Sequence, residues 1–140
     1  MKNLLGINIF LVTALCLVGA SAFAEDHPIQ IVDMKTALNV DDAFQPVDPT
    51  NKFAANTSKV FCWFQWKNGQ VNSPINAHWT YLTEKIDVLD YKVTIPRHEG
   101  AGGVALAMPE GKTLPPGEYE VRLENGKASL KSIKFKVLNK

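Results

Sequence analysis

Seven consecutive residues, Val60-Phe61-Cys62-Trp63-Phe64-Gln65-Trp66, form the most apolar run outside the extreme N-terminus, and they narrow the folds open to the chain. The run is too short for a stable helix but matches a strand, and Val, Phe and Trp suit a pleated surface. Side chains alternate across a sheet, so Val60, Cys62, Phe64 and Trp66 share one face while Phe61, Trp63 and Gln65 share the other. Both faces are apolar. Such a strand is either covered on both sides, as in a sandwich core, or it presents Phe61 and Trp63 as an exposed aromatic patch.

Around this strand the chain reads as further strands separated by turn signals. Ile29 to Val40 carries an interrupted alternation through Ile31, Val32, Met34 and Leu38, which predicts one strand with a bulge. Asp41 to Ser58 holds Pro46, Asp48-Pro49, Asn51 and Asn56, turn formers that leave a long loop or a short edge piece. Asn76 to Thr83 sets Trp79 and Tyr81 against His78, Thr80 and Leu82. Ile86 to Ile95 alternates with Leu89, Tyr91, Val93 and Ile95 inward and Asp90, Lys92 and Thr94 outward. Pro96 to Gly103 reads as a glycine-rich loop before a short strand, Val104 to Met108. Pro116-Gly117 suits a type II turn, Tyr119, Val121 and Leu123 point inward, and Asn125-Gly126 predicts a type I′ hairpin into a last strand with Ile133, Phe135 and Val137 inward. About seven strands and no segment of helical period imply an all-β, antiparallel sandwich.

The first 24 residues predict a secretory signal peptide: Lys2, an apolar stretch from Leu4 to Val18, and Ala22-Phe23-Ala24 as cleavage site, leaving a single domain over residues 25–140. A cut after Ala22 is the alternative. The segment is too short to span a bilayer, and Leu15 before Cys16 argues against lipidation. Periplasmic or secreted localisation follows, with no stable membrane span after cleavage. The leader carries one of the 15 basic residues and none of the 14 acidic ones, so charges balance in the remainder and nucleic-acid binding loses its electrostatic support. Only Cys62 remains of the two cysteines, which rules out an internal disulfide in the mature chain. Mid-strand among aromatics, it reads as a small buried hydrophobe.

Catalytic patterns fail on inspection. There is no Gly-x-Ser-x-Gly elbow, Gly111-Lys112-Thr113 lacks the first glycine of a phosphate loop, and His98-Glu99 meets Gly102 where a zincin needs its second histidine. Asp87, Asp90 and Glu99 are carboxylates that sequence alone does not bring together. Two binding readings are sharper. Phe61 and Trp63, with Arg97 and His98 as polar partners, make a candidate face for a protein or glycan of the cell envelope. If cleavage follows Ala24, Glu25-Asp26-His27 begins the chain, and its amine, two amides and imidazole suit square-planar Cu(II), which makes copper binding the alternative. His78, Met34 and Met108 are the residues available for a second copper site, although each lies in an apolar strand where a core role is the default.

Leu114-Pro115-Pro116-Gly117-Glu118-Tyr119 resembles the penultimate-strand entry of immunoglobulin-like and fibronectin-like bacterial domains, where a tyrosine after a turn glycine anchors the corner. From about Ala43 to Val137 the chain is similar to a family of bacterial extracytoplasmic domains of unknown function. The matching residues are Pro46, Pro49 and Phe53, then Phe61 to Trp66, then His78 and Trp79, then Gly117 and Gly126. The serine and tryptophan cluster of that family is replaced here by Ala101 to Met108. The resemblance implies an immunoglobulin-like sandwich outside the cytoplasm and no particular activity. The expected protein is a periplasmic or secreted, non-enzymatic binding module.

Overall fold

A computed structural model describes residues 28–140. The predicted signal peptide and Glu25-Asp26-His27 lie outside the described residues. Ten strands are present in them: β1 (Gln30–Ala37), β2 (Asn39–Val40), β3 (Pro46–Val47), β4 (Lys52–Phe53), β5 (Lys59–Lys67), β6 (Pro74–Tyr81), β7 (Ile86–Thr94), β8 (Gly100–Ala107), β9 (Gly117–Asn125) and β10 (Ala128–Val137). They form a sandwich of a three-stranded sheet, β1-β5-β8, on a five-stranded sheet, β4-β10-β9-β6-β7, with β2 and β3 as a separate ribbon. All pairings are antiparallel except β4 with β10. The three strands beyond the expected seven are two-residue pieces within Asn39 to Phe53, where turn formers limit strand length without abolishing pairing.

β5 is the middle strand of the smaller sheet. Its inward side chains, Val60, Cys62, Phe64 and Trp66, meet Ile75, Ala77 and Trp79 of β6, Tyr119, Val121 and Leu123 of β9, and Phe135 and Val137 of β10 in one buried core. Tyr119 and Phe135 stack with ring centroids 5.0 Å apart, and Trp79 meets the Phe135 ring edge-on at 6.1 Å. The Trp79 indole N–H has no hydrogen-bond partner among the described residues. Burial pushes the Cys62 thiol up to about 12, so it stays protonated and inert, as its place in the core requires.

Two turns anchor the last hairpin. Gly117 takes a φ of 141°, and a side chain there would strike Thr83 and Tyr81. Just beyond it the Tyr119 hydroxyl donates to the carbonyl of Pro115 at 2.6 Å, and the Tyr81 hydroxyl donates to that of Pro116 at 2.5 Å. This is the tyrosine-anchored corner that the resemblance implied. The β9–β10 turn differs from expectation. Asn125 pairs with Ala128, so Gly126 and Lys127 are the central residues, and only Gly126 has positive φ, which fits type II′ instead of type I′.

β8 starts at Gly100, not at Val104, because its glycines belong to the sheet. A Cβ on Gly100 would lie 3.2 Å from the Trp66 ring, one on Gly102 would lie 3.3 Å from the Phe64 ring, and one on Gly103 would overlap the ring of Phe61. Glycine here makes room for the aromatic rings of β5 on both faces. Gly103→Val is therefore expected to lower stability by about 1–3 kcal/mol in urea unfolding. Adding Phe61→Ala should recover part of that loss, and full additivity of the two changes would show that the ring and Gly103 do not compete for space.

Candidate functional site

The outer face of the three-stranded sheet is where the sequence placed an aromatic patch. Trp63 is instead 3% exposed and Phe61 half-buried. The β2–β3 ribbon folds over them. Asp41 shapes its tip, with Oδ1 accepting from the N–H groups of Ala43 and Gln45 at 2.9 Å each, while Phe44 adopts a positive φ of 58°. That geometry aims the Phe44 carbonyl at Trp63, whose Nε1–H donates to it at 2.8 Å, and sets the Phe44 ring edge-on to Phe61 at 6.1 Å. Lys35, held at 2.9 Å by Asp33, lies 5.7 Å from the Trp63 ring centroid. The carboxyl of Asp33 is held below its ordinary value, chiefly by its bond to Lys35. Trp63 is therefore not available as a contact surface: the chain's own ribbon occupies that place.

Arg97 and His98 lie elsewhere. Trp66 pairs with Gly100 and Phe61 with Ala105, so Arg97 and His98 precede β8 at the opposite end of the strand. Their main-chain and ring groups brace a loop. The Trp66 indole donates to the Arg97 carbonyl at 3.1 Å, the Gly69 N–H donates to the His98 carbonyl at 2.8 Å, and His98 Nδ1 donates back to the Gly69 carbonyl at 2.7 Å. The four residues proposed as one face are thus not brought together.

The second copper set is likewise dispersed. Met34 is buried in the core and Met108 packs against it, whereas His78 stands on the outer face of the other sheet. The core role expected for His78 gives way to a charged cluster that sequence reasoning missed. His78 Nδ1 bonds Asp90, directly opposite on β7, and Nε2 lies 3.2 Å from Asp87. Asp87 and Asp90 reach the same face because the register shifts between them, leaving Val88 as an extra residue. The two carboxylates grip opposite edges of the ring, and among the described residues no group of three or more such ligands is arranged to hold a metal. Arg122 neighbours the cluster across β6 and β9, bonded to Glu124 at 2.7 Å and 3.8 Å from Glu120.

A different concavity opens between the sheets. On one side β1 packs against β10 and closes the sandwich. On the other side β7 and β8 stand apart across an apolar groove of about 360 Å³, with Tyr81, Val88, Leu89, Leu106, Met108 and Tyr119 in its lining. β7 faces the core through Leu89, Tyr91 and Val93, opposite Trp79, Ala77 and Ile75, yet Tyr91 is 56% exposed and Val88 40%. Among the described residues no strand of the smaller sheet covers that edge. The chain leads from β7 into β8 through Ile95–Glu99, so the two edges run antiparallel along the groove.

No protein-family model and no curated protein matches the chain. Among solved structures it is similar to an immunoglobulin-like protein of Pseudomonas aeruginosa, at 14% identity and a TM-score of 0.57, over 81% of this chain and 98% of that one. A fainter similarity, to the Pseudomonas fluorescens alkylpurine DNA glycosylase AlkC bound to DNA containing an abasic site analogue, has 9% identity and a TM-score of 0.48 over 79% of this chain and 30% of that one. The fold is thus immunoglobulin-like, as the sequence implied.

Two outcomes test this description. Trp63→Ala should cost about 3–5 kcal/mol in chemical denaturation, as for a packed core aromatic, whereas a loss within about 0.5 kcal/mol would mean that the ribbon does not cover it. The hydrogen bond from Asp90, and then that from Asp87, hold the His78 imidazole above its ordinary 6.5 against the opposing cost of burial. A raised histidine stabilises the fold fully below its unfolded value and ceases to do so as pH rises through the folded value. The stability advantage of wild type over His78→Gln should therefore be largest between the carboxylate range and 6.5 and decline above it. A difference that is flat or grows with pH would contradict the cluster.

Proposed function

We propose that this chain is a non-enzymatic binding module of the cell envelope, periplasmic or secreted, that engages a protein partner through the groove between β7 and β8. The single observation that carries the reading is a concave apolar lining that includes exposed Val88, continued along the same strand by exposed Tyr91, two residues beyond the lining residue Leu89. Large apolar side chains left exposed beside a concavity characterise docking sites, and an adjoining tyrosine supplies the amphipathic contact common at protein interfaces. A glycan reading is weaker. Sugars stack on exposed aromatic planes, and Trp63 lies under the β2–β3 ribbon, which leaves Tyr91 as a single exposed ring beside an apolar groove instead of a polar one. The predicted leader supports the compartment, as does the resemblance of the sequence to bacterial extracytoplasmic domains, and the balanced charges argue against nucleic acid as the partner.

Val88→Lys and Tyr91→Lys change exposed positions, so each should leave stability within about 0.5 kcal/mol of wild type. Each should also reduce recovery of the partner from an envelope fraction, measured by cross-linking and mass spectrometry, by roughly tenfold or more. Val71→Lys, at an exposed site on the β5–β6 connection, serves as the control. Equal recovery with all three variants would place the partner surface elsewhere.

A further inference from the structure

The groove is bounded above by a sheet edge whose main chain has no strand partner among the described residues. Among the described residues β8 is the last strand of its sheet, bonded only to β5. The Met108 N–H donates to the Ser58 carbonyl at 2.8 Å, and the β5–β8 register continues from there without a bulge. Alternation then directs the N–H and C=O groups of Val104 and Leu106 toward β5, and those of Ala101, Gly103, Ala105 and Ala107 away from the sheet. Natural edges are blunted by charges, proline or bulges. From Gly100 to Met108 this edge has no charged residue and no proline, and the outward side chains are hydrogen or methyl. By contrast the edge of β7 carries Asp87, Asp90 and Lys92.

Beyond the β8 edge the inner face of β7 supplies exposed Tyr91 between half-buried Leu89 and Val93. The smaller sheet is therefore one strand short above β7. We propose that this slot accepts one extended segment of a partner protein, added antiparallel or parallel to β8, with an apolar side chain at every second position pointing down onto β7. This rests on the groove reading above and names the form of the partner. The four outward pairs of donors and acceptors specify an extended main chain, and the apolar floor specifies the alternation. A second copy of this chain is a poor occupant. Edge-to-edge pairing of two β8 strands would drive the overhanging β7 of each copy into the other, and a contact one strand wide falls short of the roughly 1,200 Å² that stable interfaces between folded proteins bury.

The probe is an end-blocked peptide of the length of β8, alternating Val and Thr between terminal lysines, together with an analogue N-methylated at every second amide. Amide exchange is followed residue by residue by NMR on the whole chain, with and without peptide. The peptide should slow exchange at Ala101, Gly103, Ala105 and Ala107 by at least tenfold, while Val104 and Leu106, already bonded to β5, change little. The N-methylated analogue should fail, and so should the peptide on Ala105→Pro, which removes an N–H that the folded chain does not use. The inference is overturned if the peptide protects none of these amides, or if the N-methylated analogue protects them equally. Sedimentation of the free protein as a dimer with these amides already protected would overturn it in favour of a second copy. If these arms fail while Val88→Lys and Tyr91→Lys still reduce recovery of the envelope partner, the groove reading stands and only strand addition falls.

Discussion

An aromatic strand that is apolar on both faces must be covered twice, and the architecture follows from meeting that demand at β5. Its inner face is covered by the five-stranded sheet, where Trp79, Tyr119 and Phe135 build the opposing wall. Its outer face has no sheet to meet, so the ribbon of β2 and β3 is laid across it. A buried indole N–H left unpaired, as that of Trp79 is among the described residues, costs about 1–3 kcal/mol, a cost that Trp63 avoids. The Phe44 carbonyl provides its partner, and the left-handed conformation of Phe44 is what turns the carbonyl toward it. The glycines of β8 answer the same strand from the side, by yielding space to Trp66, Phe64 and Phe61.

Covering β5 in this way leaves the two sheets unequal in width. Three strands over five cannot reach both edges of the larger sheet. The side at β1 and β10 is closed, whereas β7 projects beyond β8. An edge strand that projects must be held by something other than a second layer. The His78 cluster ties β7 to β6 on the outer face through Asp87 and Asp90, and Leu89 and Val93 half-bury themselves on the inner face. The polar outer face and the apolar groove are thus two consequences of one overhang.

Much of this was legible in the residues. The length and composition of Val60 to Trp66 imply a central strand, and strict alternation marks β9 and the second half of β10, from Ile133 to Val137, because each has one wet face. The tyrosine corner could be read from Pro116-Gly117 and Tyr119. What escaped reading depends on distant partners. Gly100 to Gly103 looks like a loop until the rings of β5 are known to need that room. Asp87 and Asp90 are three apart, and period-two alternation sets them on opposite faces; only the extra residue at Val88 brings them together on His78. The coverage of Trp63 by Phe44 is a contact across 19 positions between a strand and a segment of turn formers. The groove has no motif at all, because it is defined by a strand that is missing.

β5 is enclosed on both faces while the sandwich of the described residues remains open at the β8 edge. Residue-resolved hydrogen exchange on the free protein tests both halves at once. The indole N–H of Trp63 should fall among the slowly exchanging groups, with the β5 backbone, while the amides of Ala101, Gly103 and Ala105 exchange far faster than those of Val104 and Leu106 between them. Rapid exchange at the Trp63 indole, or uniform protection along β8, would contradict it.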